Sequence, residues 1–258
     1  ANIPSIRGDQ GLTKYASAFY AGDVLLGLQF LHSLDIAHRD LKPENVLIDG
    51  RGRCKLGDFG AVLDLTSGQR AGSFDGTAEY VSPEVLEGEN TTTKCDLWAL
   101  GCLVFQLSTG RLPFTGATDF LVWEKIVAFA DGNRDEVDFT SVSEDVEDLV
   151  RRLCTRDPLS RLCGEELEAH AFFVCPVADI RCSRACVPWT PEPCSHTCES
   201  VFSVEYMLDL EAGSYGDNVA TCVNFSRRLQ RHRTPPDTLV DLCTGPDAER
   251  VGDVGRFH

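Results

Sequence analysis

The sequence predicts a mainly α-helical domain carrying one small β-hairpin, followed from residue 174 by an irregular tail rich in cysteine and proline. Three observations carry this reading. Residues 13–34 place Phe19, Val24, Leu28 and Leu31 at steps of five, four and three, one apolar stripe of helical period. Val46–Ile48 and residues 53–56 are short apolar pieces around the turn-forming run of residues 49–52, Asp-Gly-Arg-Gly. Past Phe173, Cys175, Cys182, Cys186, Cys194 and Cys198 cluster, most of the prolines follow, and lysine is absent.

Taken in order, the helix of residues 13–34 leads into a loop and then the hairpin. Further helices are expected at residues 94–108, 118–129 and 143–154, the first almost wholly apolar and therefore central. No internal repeat is visible. An apolar content of 43% with 25% charged residues fits a globular chain, and this length can bury about 70 to 75% of its unfolded surface. The longest apolar run, residues 97–107, is about half a membrane span, so no transmembrane helix is expected. Residues 1–20 show no leader pattern, and a chain that opens on Ala1 reads as truncated. A net charge of −16 excludes a sequence-independent grip on nucleic acid, which needs clustered cations. Cys54, Cys95, Cys102, Cys154 and Cys163 are scattered singly through apolar segments, the usage of buried thiols in a reducing, cytoplasmic setting.

The chemistry-bearing residues stand in a fixed order. His38-Arg39-Asp40 is followed by Lys42, Glu44 and Asn45, then by Asp58-Phe59-Gly60, then by Ser82-Pro83-Glu84, Cys95-Asp96-Leu97-Trp98 and the run from Asp157 to Arg161. Together these motifs resemble the signature set of eukaryotic protein kinases. The resemblance covers residues 1–173 and implies the large, helical lobe of that fold. Transfer of a phosphoryl group is catalysed by positioning and charge neutralisation, which calls for a carboxylate at the substrate hydroxyl and others on metal. The resemblance makes Asp40 the catalytic base, Lys42 a contact to the transferred phosphate and a mark of serine/threonine specificity, and Asn45 and Asp58 the Mg²⁺ ligands. Leu47 would lie beneath the adenine of ATP. His38 and Phe59 read as packing residues, Asp96 as the anchor of the catalytic loop, and Glu84 and Arg161 as a structural ion pair.

The run from Ser73 to Leu86, with "FQLSTGRLPF" at residues 105–114, resembles the 3-phosphoinositide-dependent kinases of the AGC group. The resemblance implies protein substrates, among them activation loops of other AGC kinases. Glu44 and Thr77 would meet the substrate, and Gln106, where arginine-directed relatives carry glutamate, implies a less basophilic enzyme. Ser73 is the expected phosphorylation site, with Arg39 to receive the phosphate, although Ala61, Val62 and Leu63 stand where relatives often place a helping lysine. A glycine-rich loop, a strand lysine and its helix glutamate are not found ahead of the loop. A small lobe needs roughly 27 strand residues and 11 helix residues, and the helix of residues 13–34 occupies most of the available chain. These 258 residues alone are therefore expected to be inactive, and a non-catalytic scaffold is the rival reading. In the tail, Cys182, Cys186, Cys194 and Cys198 have ligand-like spacing, but the proline-rich gap between the pairs argues against zinc. Phe202, Val204 and Tyr206 alternate like a short strand.

Overall fold

The computed structural model describes residues 11–67, 77–174 and 176–188, which contain seven α-helices and four short strands. Helix α1 (Lys14–Ser33) begins where the Thr13 hydroxyl oxygen accepts the Ala16 N–H, satisfying one donor of the first turn. Its predicted stripe of Phe19, Val24, Leu28 and Leu31 is buried, and so are Tyr20, Ala21, Gly22 and Leu25. The helix is covered on more than one face because it has partners on more than one side. These are helix α3 (Lys94–Thr109) and the hairpin of β2 (Val46–Ile48) with β3 (Cys54–Leu56). The hairpin turns on Gly52 at φ 76°, and the Asp49 carboxylate accepts the Arg51 and Arg53 N–H groups.

Helix α3 is the centre. Trp98, Leu100, Cys102, Leu103, Val104 and Leu107 are all buried, and the helix stops at Gly110, whose left-handed φ of 77° lets its N–H reach the Gln106 carbonyl at 2.8 Å. Helix α5 (Glu144–Leu153) packs across α3 at Gly101. A Cβ there would stand 2.7 Å from Cys154 Sγ and 3.1 Å from Leu153 Cβ, so the missing side chain permits the close approach. Helix α4 (Asp119–Ala130) buries Val122, Ile126 and Phe129. Phe129 meets Phe114 edge-on, and Phe114 stacks on Trp98 with ring centroids 5.9 Å apart, which joins α4 to the core.

Two features go beyond the expected pattern. A second small sheet is present, in which β1 (Ile36–Ala37) pairs antiparallel with β4 (Leu63–Asp64), Ile36 opposite Asp64 and Ala37 opposite Leu63. Strands of two residues have no alternation that a sequence could display. Packed structure also continues past the expected boundary near residue 174. Helix α7 (Val177–Arg181) lays Val177 and Ile180 on α1, where Ile180 Cδ1 fills the space left by Gly22, and the Tyr15 hydroxyl donates to the Cys186 carbonyl at 2.6 Å. A single turn of helix has little stability of its own, and α7 is held by this docking. Cys175, Cys194, Cys198 and residues 202–206 lie outside the described residues, as does Ser73. Among the described residues no helix is long and apolar enough to cross a membrane, and no group of three or more His, Cys, Asp or Glu side chains could hold a metal.

Candidate active site

The loop between β1 and β2 carries His38 to Asn45, and one buried carboxylate from α3 fixes its backbone. Asp96 Oδ2 accepts the His38 N–H at 2.9 Å, and its Oδ1 accepts the Arg39 N–H at 2.8 Å. A third contact comes from α1, where His32 Nε2 lies 2.8 Å from Asp96 Oδ2. Burial pushes the Asp96 carboxyl up, but the hydrogen bond and charge of His32, with the Arg39 N–H, outweigh it and hold the group below its ordinary value. Arg39 itself has φ 69°, a strained left-handed backbone that costs about 1 to 3 kcal/mol and persists because Asp96 holds it. His38 is fully buried. Its Nδ1 accepts the Asp40 N–H at 3.4 Å, which leaves Nε2 to donate to the Gly57 carbonyl at 3.0 Å, and its ring packs 5.5 Å from that of Phe59. His38 and Phe59 therefore tie the loop to the turn that carries Asp58.

Asp40, Lys42 and Asn45 converge on one point. Asn45, buried at the end of the turn Pro43–Asn45, donates its amide to the Asp40 carbonyl at 2.7 Å and to Asp40 Oδ2 at 2.8 Å. Lys42 Nζ lies 2.9 Å from Asp40 Oδ2 and donates to Thr77 Oγ1 at 2.9 Å, so one ammonium spans the loop carboxylate and the segment of residues 77–86. With its NH₂ committed to Asp40, Asn45 has no partner at its amide oxygen among the described residues. Asp58 is exposed at φ 51°, another strained backbone, and spends one oxygen on the Gly60 N–H at 3.2 Å. Its second oxygen and the Asn45 amide oxygen are hard donors suited to a cation of the Mg²⁺ kind, which keeps water and phosphate as its remaining ligands. Leu47 is half-buried in β2, and Glu44 is exposed at the lip of the loop.

The turn Ala78–Tyr80 and helix α2 (Pro83–Leu86) follow Thr77. Glu84 Oε1 and Oε2 accept Arg161 Nη1 and Nη2 at 2.7 and 2.6 Å, a bidentate pair with side chains only 3% and 0% exposed. Arg161 also donates to the carbonyls of Thr155 and Lys94 and lies over the Trp98 ring at 5.3 Å. Arg39 donates Nη1 to the Ala61 carbonyl at 3.3 Å, while its Nε is buried without a partner among the described residues. Val62 and Leu63 are buried, so no cation from that stretch assists Arg39. Two contacts were not legible from motif spacing. His32 reaches Asp96 from α1, and the Tyr80 hydroxyl donates to Gln106 Oε1. Burial, and then the charge of Glu44, push the Tyr80 hydroxyl far up, so it remains a donor.

A carboxylate held by an amide and an ammonium, on a loop that His38 ties to the turn carrying a second carboxylate, fits the catalytic loop of a protein kinase. Residues 4–173 match the protein kinase domain family, and the chain belongs to it. Its curated relatives narrow the class to AGC kinases of the 3-phosphoinositide-dependent and PKH type. The chain is 41% identical over 178 residues to 3-phosphoinositide-dependent protein kinase 1 of Homo sapiens, covering 65% of this chain and 31% of that protein. It is 36% identical over 179 residues to serine/threonine-protein kinase PKH1 of Saccharomyces cerevisiae, covering 63% and 22%. Over 243 residues it is 32% identical to 3-phosphoinositide-dependent protein kinase 1 of Arabidopsis thaliana, covering 87% and 47%. The chain thus spans less than half the length of each of these relatives.

Proposed function

We propose that residues 1–173 are the large lobe of a serine/threonine protein kinase that transfers the γ-phosphate of ATP to hydroxyls of protein substrates. The observation that carries this reading is the pair of contacts aligning Asp40, with Asn45 Nδ2 at 2.8 Å and Lys42 Nζ at 2.9 Å. Mg²⁺-ATP supplies the phosphoryl group and the counter-charge when bound. Asn45 and Asp58 are the residues that would hold the metal, and Leu47 offers an apolar floor to the adenine. Asp40 accepts the proton of the substrate hydroxyl on a carboxylate oxygen, and Lys42 turns from Asp40 to the oxygens of the group in transfer. Thr77, hydrogen-bonded to Lys42, and Glu44, at the lip, face the incoming peptide.

The neutral Gln106 supports a substrate class. Its amide oxygen is taken by Tyr80, so no carboxylate stands there to select arginine, and Glu44 is left as the acidic contact. This supports substrates that are not arginine-directed, with activation loops of AGC kinases as the proposed class. Arg39, whose buried Nε has no partner among the described residues, is the proposed receiver of a phosphate on Ser73. The seven described cysteines are unpaired, which supports a reducing, cytoplasmic setting. The sequence ahead of the catalytic loop carries no glycine-rich loop and no strand lysine with a helix glutamate, so residues 1–258 alone are expected to show no transfer. The full gene product containing this chain should phosphorylate an activation-loop peptide in preference to an arginine-rich one, and Asp40→Asn should abolish that activity. Equal use of both peptides would sink the substrate reading, and undiminished transfer by Asp40→Asn would sink the reading of the site.

A further inference from the structure

Away from the phosphate site, the outer surface brings an amine and a thiol together. Lys94, the first residue of α3, donates Nζ to Cys163 Sγ at 2.9 Å, although the two are 69 residues apart. Cys163 is the residue immediately before helix α6 (Gly164–Glu168) and is exposed. The two backbones are tied, because Arg161, two residues before Cys163, donates to the Lys94 carbonyl at 2.8 Å while bound to buried Glu84. Lys94 makes no ion pair among the described residues, so its nitrogen is committed to the sulfur alone. The other described thiols differ. Burial pushes the Cys54, Cys95 and Cys102 thiols well up and removes them from reaction, Cys154 is buried, and half-buried Cys182 and exposed Cys186 have no ammonium at the sulfur among the described residues.

We propose that Lys94 and Cys163 are an oxidative modification site at which a peroxide produces a covalent sulfur–nitrogen bridge. In the first step the Cys163 sulfur attacks a peroxide oxygen. An S–O bond forms and the O–O bond breaks, the sulfur loses two electrons to the peroxide, and water leaves with the thiol proton. The product is a sulfenic acid, which condenses with a nearby nitrogen when one is in reach. Lys94 Nζ, after giving its ammonium proton to solvent, attacks that sulfur. The S–N bond forms, the S–O bond breaks, and the hydroxyl leaves as water with one N–H proton, with no further change of oxidation state. A small thiol reverses the bridge by attacking the sulfur and returning the amine, and a second thiol then frees Cys163. The bridge would tie the start of α3 to the start of α6, over the Glu84–Arg161 clamp.

The test is peptide mapping of the whole chain after treatment with hydrogen peroxide in slight excess, with dimedone present to trap any persistent sulfenic acid. The expected product is one peptide pair joined through Lys94 and Cys163, two hydrogens lighter than its parts and separated by dithiothreitol. Lys94→Arg keeps the cation but removes the primary amine, and should yield dimedone-labelled Cys163 with no joined pair. Labelled Cys163 beside a free Lys94 in the unaltered chain would overturn the proposal. Oxidation of Cys186 ahead of Cys163 would overturn it equally.

Discussion

Asp40–Lys42 and Glu84–Arg161 are both carboxylate–cation pairs, with closest contacts of 2.9 and 2.6 Å. Their surroundings separate them. Lys42 and Asp40 are 21% and 12% exposed, and their further partners are the side chains of Thr77 and Asn45, each able to let go when a substrate arrives. Arg161 is wholly buried, and its remaining donors go to backbone carbonyls that cannot move without unfolding the chain. A charge used in chemistry must be able to exchange partners, whereas a charge used in architecture is stable only if every donor is already satisfied. The same pairing of a carboxylate with a cation therefore holds the fold at one site and, in the proposed function, serves a reaction at the other.

The widest break in this comparison is expected from Asp40→Asn in the full gene product. It should lower kcat by about 10² to 10⁴, the worth of a positioned base, while the thermal midpoint scarcely moves. Glu84→Gln should do the reverse and cost about 3 to 5 kcal/mol in a denaturant titration, because Arg161 is left buried and uncompensated. Replacing both partners together, Glu84→Leu with Arg161→Met, should recover most of that loss. If the single and double variants were equally unstable, the pair would not be the source of the cost. Gly101→Ala tests packing without charge. A methyl group driven toward Cys154 Sγ should cost about 1 to 3 kcal/mol, against a helix-propensity gain of about 1 kcal/mol, and a stability gain would show that α3 and α5 can separate freely.

The smallest effect concerns acid. The folded state holds the Asp96 carboxyl below its ordinary value, so the unfolded chain binds the proton more readily. That contribution to stability is complete above about pH 4, the unfolded carboxyl range, and is lost as pH falls through the lower folded value. Urea midpoints measured between pH 7 and pH 3 should therefore decline less steeply for Asp96→Asn than for the parent chain. Parallel curves for the two proteins would remove Asp96 from the acid response.

The long elements were legible because their periods are local. The stripe from Phe19 to Leu31 announces α1, and the apolar run of residues 97–107 announces a central α3. Elements with one turn or two residues were not. Helix α7 exists through Val177 and Ile180 docking on α1, and β4 exists through pairing with β1, so neither leaves a pattern in its own few residues. At the site, Asp40, Lys42, Asn45 and Asp58 were singled out by the resemblance of their motifs, and the first three of them meet in the structure. The reach of His32 to Asp96 across 64 residues, and of Tyr80 to Gln106, could not be read from those motifs.

By itself, then, the sequence determined which side chains are available for phosphate chemistry, which helices are amphipathic or wholly apolar, and where the turns fall. These follow from backbone preferences and hydrophobic periods that act within a few residues. Only the tertiary structure decided which charges are buried and clamped, which remain free to exchange partners, and that Lys94 would stand on Cys163. Those outcomes depend on how α1, α3 and α5 pack, because burial is a property that no residue has until distant parts of the chain exclude water from it.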